Sequence, residues 1–250
     1  MPLKHSYQNG PLAIVMALNL LACCLACCLV FCSLLVCCIG CGCGNQPNVS
    51  APATTGAKTD AVTDSQTVTL FDGTLKNWSV TNFGGEAEVE LAGKEIILPA
   101  GYPMTGINWT GQSLPTQNYE ISLEAKKTEG NDFFCGLTFP VGASHCSLIL
   151  GGWGGNLVGL SCIDGDDASN NGTKQFHQFE TEKWYRIIVF VDENGIEVKL
   201  DDEVIINQAR LGHTFTVRNE TRACRPLGIC NFQTSSVIRN IVLKTGDQKQ

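Results

Sequence analysis

Residues 131–155 read Asn131-Asp-Phe-Phe-Cys-Gly-Leu-Thr-Phe-Pro140-Val-Gly-Ala-Ser-His-Cys-Ser-Leu-Ile-Leu150-Gly-Gly-Trp-Gly-Gly155, and this stretch decides the fold class. It predicts two consecutive strands, 133–139 and 144–150, because side chains along a strand alternate between two faces. Phe133, Cys135, Leu137 and Phe139 then share one face, and Phe134, Gly136 and Thr138 the other. In the second strand Cys146, Leu148 and Leu150 oppose His145, Ser147 and Ile149. One side is continuously apolar. The other carries small and polar groups, a histidine, and Trp153 between pairs of glycines. That is the pattern of a sheet with one face on a core and one face toward a ligand.

Working outward, the rest of the body repeats this strand character. Tyr119, Ile121, Leu123 and Ala125 alternate with polar residues, 184–191 is a mostly apolar run, and Asn194-Gly195 is a hairpin signal before 196–200. Asp201-Asp202 turns the chain into 204–206, and a last strand spans 237–244. No segment holds helical periodicity for more than one or two turns. Many short strands without an internal repeat predict one all-β domain, a two-sheet β-sandwich, over residues 67–250.

The N-terminus is different in kind. Residues 1–43 hold Lys4 as their only charged side chain and nine of the fourteen cysteines. Charge, a long apolar run from Pro11 to Ile39, then small residues before cysteine is the layout of an export signal, and the run is also long enough to span a bilayer. Ile39-Gly40-Cys41 resembles a bacterial lipobox with Cys41 as the lipidated residue. An uncleaved anchor is the other reading, and both place the body outside the cytoplasm, tethered in the cell envelope on the periplasmic side or at the cell surface. Residues 44–66, rich in Pro, Thr, Ala and Ser, form a flexible linker.

Beyond residue 43 the chain has 16 basic and 24 acidic side chains, a net charge of −8. Without a Lys/Arg cluster this excludes nucleic acid as a partner class. The five body cysteines, Cys135, Cys146, Cys162, Cys224 and Cys230, contain no C-x-x-C pair, which argues against a zinc ribbon or a thioredoxin-type site. The strand positions of Cys135 and Cys146 favour buried thiols, with a bridge between them open in an oxidising compartment.

Four motifs, in order, resemble one family. Leu70-Phe71-Asp72-Gly73-Thr74-Leu75 with Trp78, Asn118 to Ala125, Lys183 to Val204, and Pro226 to Ile229 with Ile238 to Ile241 resemble signatures of the 3-keto-disaccharide hydrolase domain (3-keto-α-glucoside 1,2-lyase / 3-keto-2-hydroxy-glucal hydratase). The chain is most like its exported, planctomycete-type members. The resemblance implies a concanavalin A-like jelly roll and an oxidised glucoside as carbohydrate ligand. It also implies cleavage by C2-proton abstraction, elimination and hydration. A 3-keto group acidifies the C2 proton, so the chemistry asks for a general base, a polarised ketone and help for the leaving oxygen, with a divalent metal as one possible cofactor.

Toward that chemistry His145 is the first candidate base, and Asp132, at the opening of the first strand, is a candidate acid or ligand, its other reading being a turn former. Trp153 is a candidate sugar-stacking ring, and Asp164, Asp166, Asn170 and His177 are candidate rim contacts. The oxygen-rich loop 164–172 fails the EF-hand pattern, since Ala168 and Ser169 stand at positions five and six. Two family features are missing: residues 228–233 replace an acid–His segment, and Pro140 ends the strand that elsewhere carries an arginine. These departures leave either a site rebuilt around His145 or a branch that binds sugar without turning it over. On the resemblance the enzyme reading stands ahead of two rivals, a non-catalytic LamG-like carbohydrate-binding module and a structural envelope protein.

Overall fold

The computed structural model describes residues 65–246. The export signal, Cys41 and nearly all of the linker lie outside the described residues. Fifteen strands are present among them: β1 (Gln66–Thr69), β2 (Trp78–Val80), β3 (Glu90–Ala92), β4 (Glu95–Leu98), β5 (Met104–Trp109), β6 (Tyr119–Gly130), β7 (Cys135–Val141), β8 (Ser144–Gly151), β9 (Leu157–Ser161), β10 (Gln175–Phe176), β11 (Tyr185–Val191), β12 (Gly195–Leu200), β13 (Glu203–Ala209), β14 (Gly228–Phe232) and β15 (Thr234–Thr245). They form two antiparallel sheets. The first has the order β13-β12-β11-β6-β15-β4-β3, with β1 beside the far half of β15, and the second has the order β10-β9-β8-β7-β14-β5-β2. The expected all-β jelly-roll sandwich is the observed fold.

The core lies between the sheets and follows the alternation. Tyr119, Ile121, Leu123 and Ala125 of β6 face Leu137 and Phe139 of β7 and Cys146, Leu148 and Leu150 of β8, all of them buried. The two outer faces differ in chemistry. On the first sheet charges are interlaced: Arg239 pairs with Glu124 at 2.7 Å, Lys244 with Glu120 at 2.9 Å, and the Arg239 guanidinium lies 3.9 Å from the centre of the Trp184 ring. On the second sheet the strands present Gly106, Gly136, Thr138, Ser147 and Cys230, and the segment around the 3₁₀ turn Arg222–Cys224 lies across them.

Two expectations need correction, and one left between two alternatives is resolved. First, β7 begins at Cys135, not Phe133. Asp132 Oδ1 accepts the Phe133 N–H at 2.8 Å, and this local turn breaks the alternation. Phe134 and Cys135 both point into the core, while Phe133 faces the opposite side of the sheet with Phe232. Second, the buried thiols favoured at Cys135 and Cys146 are observed and the alternative bridge is not: all five body cysteines are buried and free. Third, the polar face of the β7–β8 hairpin is not open along its whole length. Thr138 and Ser147 bond each other at 2.8 Å, and the Ser147 hydroxyl donates to Thr221 Oγ1 at 3.4 Å, so these groups anchor the overlying segment.

Candidate functional site

The second sheet's outer face stays uncovered at the Cys135 end of β7. A cavity of about 200 Å³ opens there. Its floor is apolar, made of Met104 from β5, Ile149 from β8, Phe232 from β14, and Phe133. The Phe133 and Phe232 rings lie 5.7 Å apart, centre to centre. Trp153 forms one wall, and Asp132, Arg218, Glu220 and Thr221 complete the rim.

The backbone places Trp153 by an uncommon route. Between β8 and β9 the chain turns within Gly152–Gly155, and Trp153 itself takes left-handed dihedrals, φ 49° and ψ 52°. A side chain in that region costs about 1 kcal/mol, and such strain concentrates at functional sites. Gly155 stands at φ 97°, where a side chain is strained, and a Cβ there would also push the Asn131 side chain, whose Oδ1 would be 2.4 Å away. The turn leaves the indole 43% exposed.

Charge is arranged behind the indole. The Arg218 guanidinium sits 5.9 Å from the centre of the Trp153 ring. It donates to Glu220 at 2.9 Å and to Asp167 at 2.6 Å. The bond from Arg218 holds the Glu220 carboxyl below its ordinary range, and the same bond raises Arg218 above its own. Partial burial opposes ionisation of Asp167, but bonds from Ser169, Arg218 and Asn170 outweigh it and keep that carboxyl low. Asp132 Oδ1 takes the Phe133 N–H, while its own N–H donates to Thr234 at 3.0 Å.

No family model and no curated protein matches the chain, so the resemblance to 3-keto-disaccharide hydrolases rests on the four motifs. Among solved structures the chain is similar to apo Crh5 transglycosylase (10% identity, TM-score 0.49, covering 73% of this chain and 84% of that one). It is similar also to the conserved carbohydrate esterase vb_24B_21 of the Shiga toxin-encoding bacteriophage phi24B (15%, TM-score 0.49, 72% and 100%). A third is domain 4 of AbnA, a GH43 extracellular arabinanase from Geobacillus stearothermophilus, in complex with arabinotriose (16%, TM-score 0.45, 68% and 82%).

Of the residues singled out from sequence, the cavity brings together Asp132 and Trp153. His145 is elsewhere. It pairs with Pro140, five residues up β7 from Cys135, and at about 3.3 Å per residue that is roughly 17 Å from the cavity end. Burial, and then the Arg225 charge, hold its imidazole below the ordinary pKa. Asp164 accepts the Thr214 N–H and the His213 ring nitrogen, each at 2.7 Å. Asp166 pairs through its backbone with Ile163, and Asn170 donates to Asp167 at 3.0 Å. The Asp164 and Asp167 carboxylates of the loop are thus already engaged by N–H and O–H donors, and among the described residues no group of three His, Cys, Asp or Glu side chains could hold a metal ion. His177 packs on the core aromatics, 4.6 Å from Phe179 and 5.9 Å from Tyr185.

Sequence reasoning missed Met104, Phe232, Arg218, Glu220 and Thr221. The last three come from one non-repetitive segment, and the available signal was the run Arg218-Asn-Glu-Thr-Arg222, a dense polar cluster between strands. Chemically, the assembled cavity offers an apolar floor, an exposed indole wall and two carboxylates. That set can hold a polar ring by stacking and hydrogen bonding, and Asp132 can accept a proton from it.

Proposed function

We propose that the chain is an exported, membrane-tethered protein whose sandwich binds one sugar residue of a carbohydrate in the cavity beneath Trp153. The observation that carries this reading is the exposed indole, held at a strained left-handed position beside an apolar floor and a polar rim. Sugar rings are amphipathic in the same sense: axial C–H groups pack on aromatic rings and the hydroxyls reach a polar rim. The apolar run of residues 11–39 supports the tether. Titrating the detergent-solubilised chain with a panel of oligosaccharides, followed by tryptophan fluorescence, tests it. Trp153→Ala is expected to weaken binding at least about tenfold, since removing a stacked aromatic anchor costs on the order of 2 kcal/mol. Unchanged affinity in that variant would sink the proposal.

The second reading is cleavage of a 3-keto-glucoside, favoured by Asp132 and Arg218 sharing the cavity rim. Asp132 would take the C2 proton, and the C2–H electrons would form the C1–C2 double bond as the C1–oxygen bond breaks. The proton would pass from Asp132 to the departing oxygen, which leaves as an alcohol; Arg218 would face the ketone. Water then adds across the new double bond. The separation of His145 from this cavity puts binding ahead of turnover. Incubation with 3-keto-trehalose, with and without EDTA, decides between them. If the lyase reading is right, product forms and Asp132→Asn lowers its rate by at least about a hundredfold, as loss of a general base does. Saturable binding without product leaves the binding reading alone standing.

A further inference from the structure

The cavity's charge balance points to which sugar it takes. Its lining includes two carboxylates, Asp132 and Glu220, against one guanidinium, Arg218. That guanidinium is already engaged twice, by Glu220 at 2.9 Å and by Asp167 at 2.6 Å. Counting Asp167 behind the rim, three carboxylates meet one cation. The other basic side chains of the overlying segment, Arg222 and Arg225, do not line the cavity; Arg222 donates to Asn219 Oδ1 at 2.9 Å, and the Arg225 Nε donates to the Arg222 carbonyl at 3.1 Å. The remaining lining is apolar or a hydroxyl, so nothing there offsets the surplus of negative charge.

A surplus of this sign beside an apolar floor is a filter. A uronate or a sulfated sugar would bring a third anion to a rim whose cation is spent, and like charges a few ångströms apart in a partly dry cavity repel strongly. A neutral sugar meets neither gain nor penalty. A sugar bearing a protonated amine gains twice, from attraction to Asp132 and Glu220 and from the aromatic faces of Phe133 and Phe232 on the floor. We propose that the cavity selects a 2-amino-2-deoxyhexose with a free amino group, ring over the aromatic floor and ammonium toward Asp132 and Glu220. This rests on the sugar-binding reading above and narrows it to a ligand class.

The test uses four probes that keep one ring and change one substituent: glucosamine, N-acetylglucosamine, glucose and glucuronate. Each is titrated into the full chain in a zwitterionic detergent at mildly acidic pH and constant ionic strength, with tryptophan fluorescence as the readout. Glucosamine is expected to bind roughly tenfold more tightly than N-acetylglucosamine or glucose, the scale of two partly exposed ion pairs, and glucuronate not to saturate. Raising the salt to about 1 M should erase most of the amine's advantage, since screening acts within about 3 Å there. Asp132→Asn and, separately, Glu220→Gln are expected to bring glucosamine toward the affinity of its N-acetyl form. Glucuronate binding as tightly as glucosamine, or an amine preference that survives both substitutions, overturns the charge filter and leaves the sugar-binding reading intact. If none of the four probes binds at any concentration reached, the sugar-binding reading and this proposal fall together.

Discussion

Asn231 shows how far a single residue's meaning shifts between sequence and structure. In the resembling family an acid–His segment occupies the region of residues 228–233, so Asn231 read as part of a missing catalytic group. The structure buries it fully between the sheets. Its Oδ1 accepts the Thr105 N–H at 3.1 Å, and its Nδ2 donates to the Leu98 carbonyl at 2.7 Å, which ties β14 and β5 of one sheet to the end of β4 in the other. Replacing it with Ala leaves a buried donor and a buried acceptor without partners, so Asn231→Ala is expected to lower stability by about 2–3 kcal/mol in urea unfolding. Asn231→Asp should be worse, because it keeps the acceptor, loses the donor and buries a charge. Equal midpoints for wild type and both variants would show that the tie carries no load. Trp153, by contrast, was legible as it stood: four flanking glycines announced a turn that uncovers a ring, and the ring is uncovered. His145 was legible as a strand residue on the outer face but not as one remote from the cavity, because alternation gives a face and says nothing of position along it.

At the level of elements, alternation located most strands well and failed where local hydrogen bonding competes with it. β6 and the β11–β12 hairpin follow their patterns residue for residue, with Asp201 and Asp202 at positive φ in the turn to β13. The start of β7 does not, because the Asp132 carboxylate captures the next N–H and shifts the phase by one residue. That shift moves Phe133 into the cavity, and no periodicity in the sequence encodes it. The segment from β13 to β14 was opaque for a related reason. It has no period, and it is held down by strand residues chosen to be small. A Cβ on Gly106 would lie 2.6 Å from the Ile229 carbonyl oxygen and 2.7 Å from the Cys230 Cβ. Gly106→Ala is therefore expected to spread β5 from β14, costing about 1–3 kcal/mol and loosening the roof formed by Arg222–Cys224. Hydrogen exchange at the β5 and β14 amides, compared with those of β6 and β11, checks this. The loss of protection should concentrate in the second sheet; a uniform loss across both would argue for a global effect instead.

For the sandwich as a whole, ionisable groups bound its stability from both sides of neutral pH, and the signs can be worked out. Asp164, Asp167, Glu124 and Glu220 are all held below their ordinary values by bonds from Thr214, Ser169, Asn240 and Arg218 respectively, burial opposing this in part at Asp167 and Glu124. For such groups the unfolded chain binds protons first on acidification. The stability they supply is complete above the unfolded values, 3.8 for Asp and 4.5 for Glu, and is lost as pH falls through the lower folded ones. His145 acts with the same sign but earlier, since burial and Arg225 depress it from 6.5, so a shallow decline should begin below about that pH. On the alkaline side the buried thiols take over. Burial pushes Cys135 and Cys146 from 9.0 up to about 12, so the unfolded chain releases protons that the folded one retains. Their contribution is complete below pH 9 and vanishes as pH rises toward 12. Urea midpoints measured by tryptophan fluorescence from pH 3 to 11 are thus expected to trace a plateau between about pH 6.5 and 9, a shallow acid shoulder, a steep fall below about 4.5, and an alkaline decline. His145→Gln should remove the shoulder and leave the steep acid limb in place, whereas Cys135→Ala should flatten the alkaline limb while lowering the whole plateau by the cost of a core cavity. An alkaline limb that Cys135→Ala leaves as steep as in the wild type would show that the Cys135 thiol does not contribute to it.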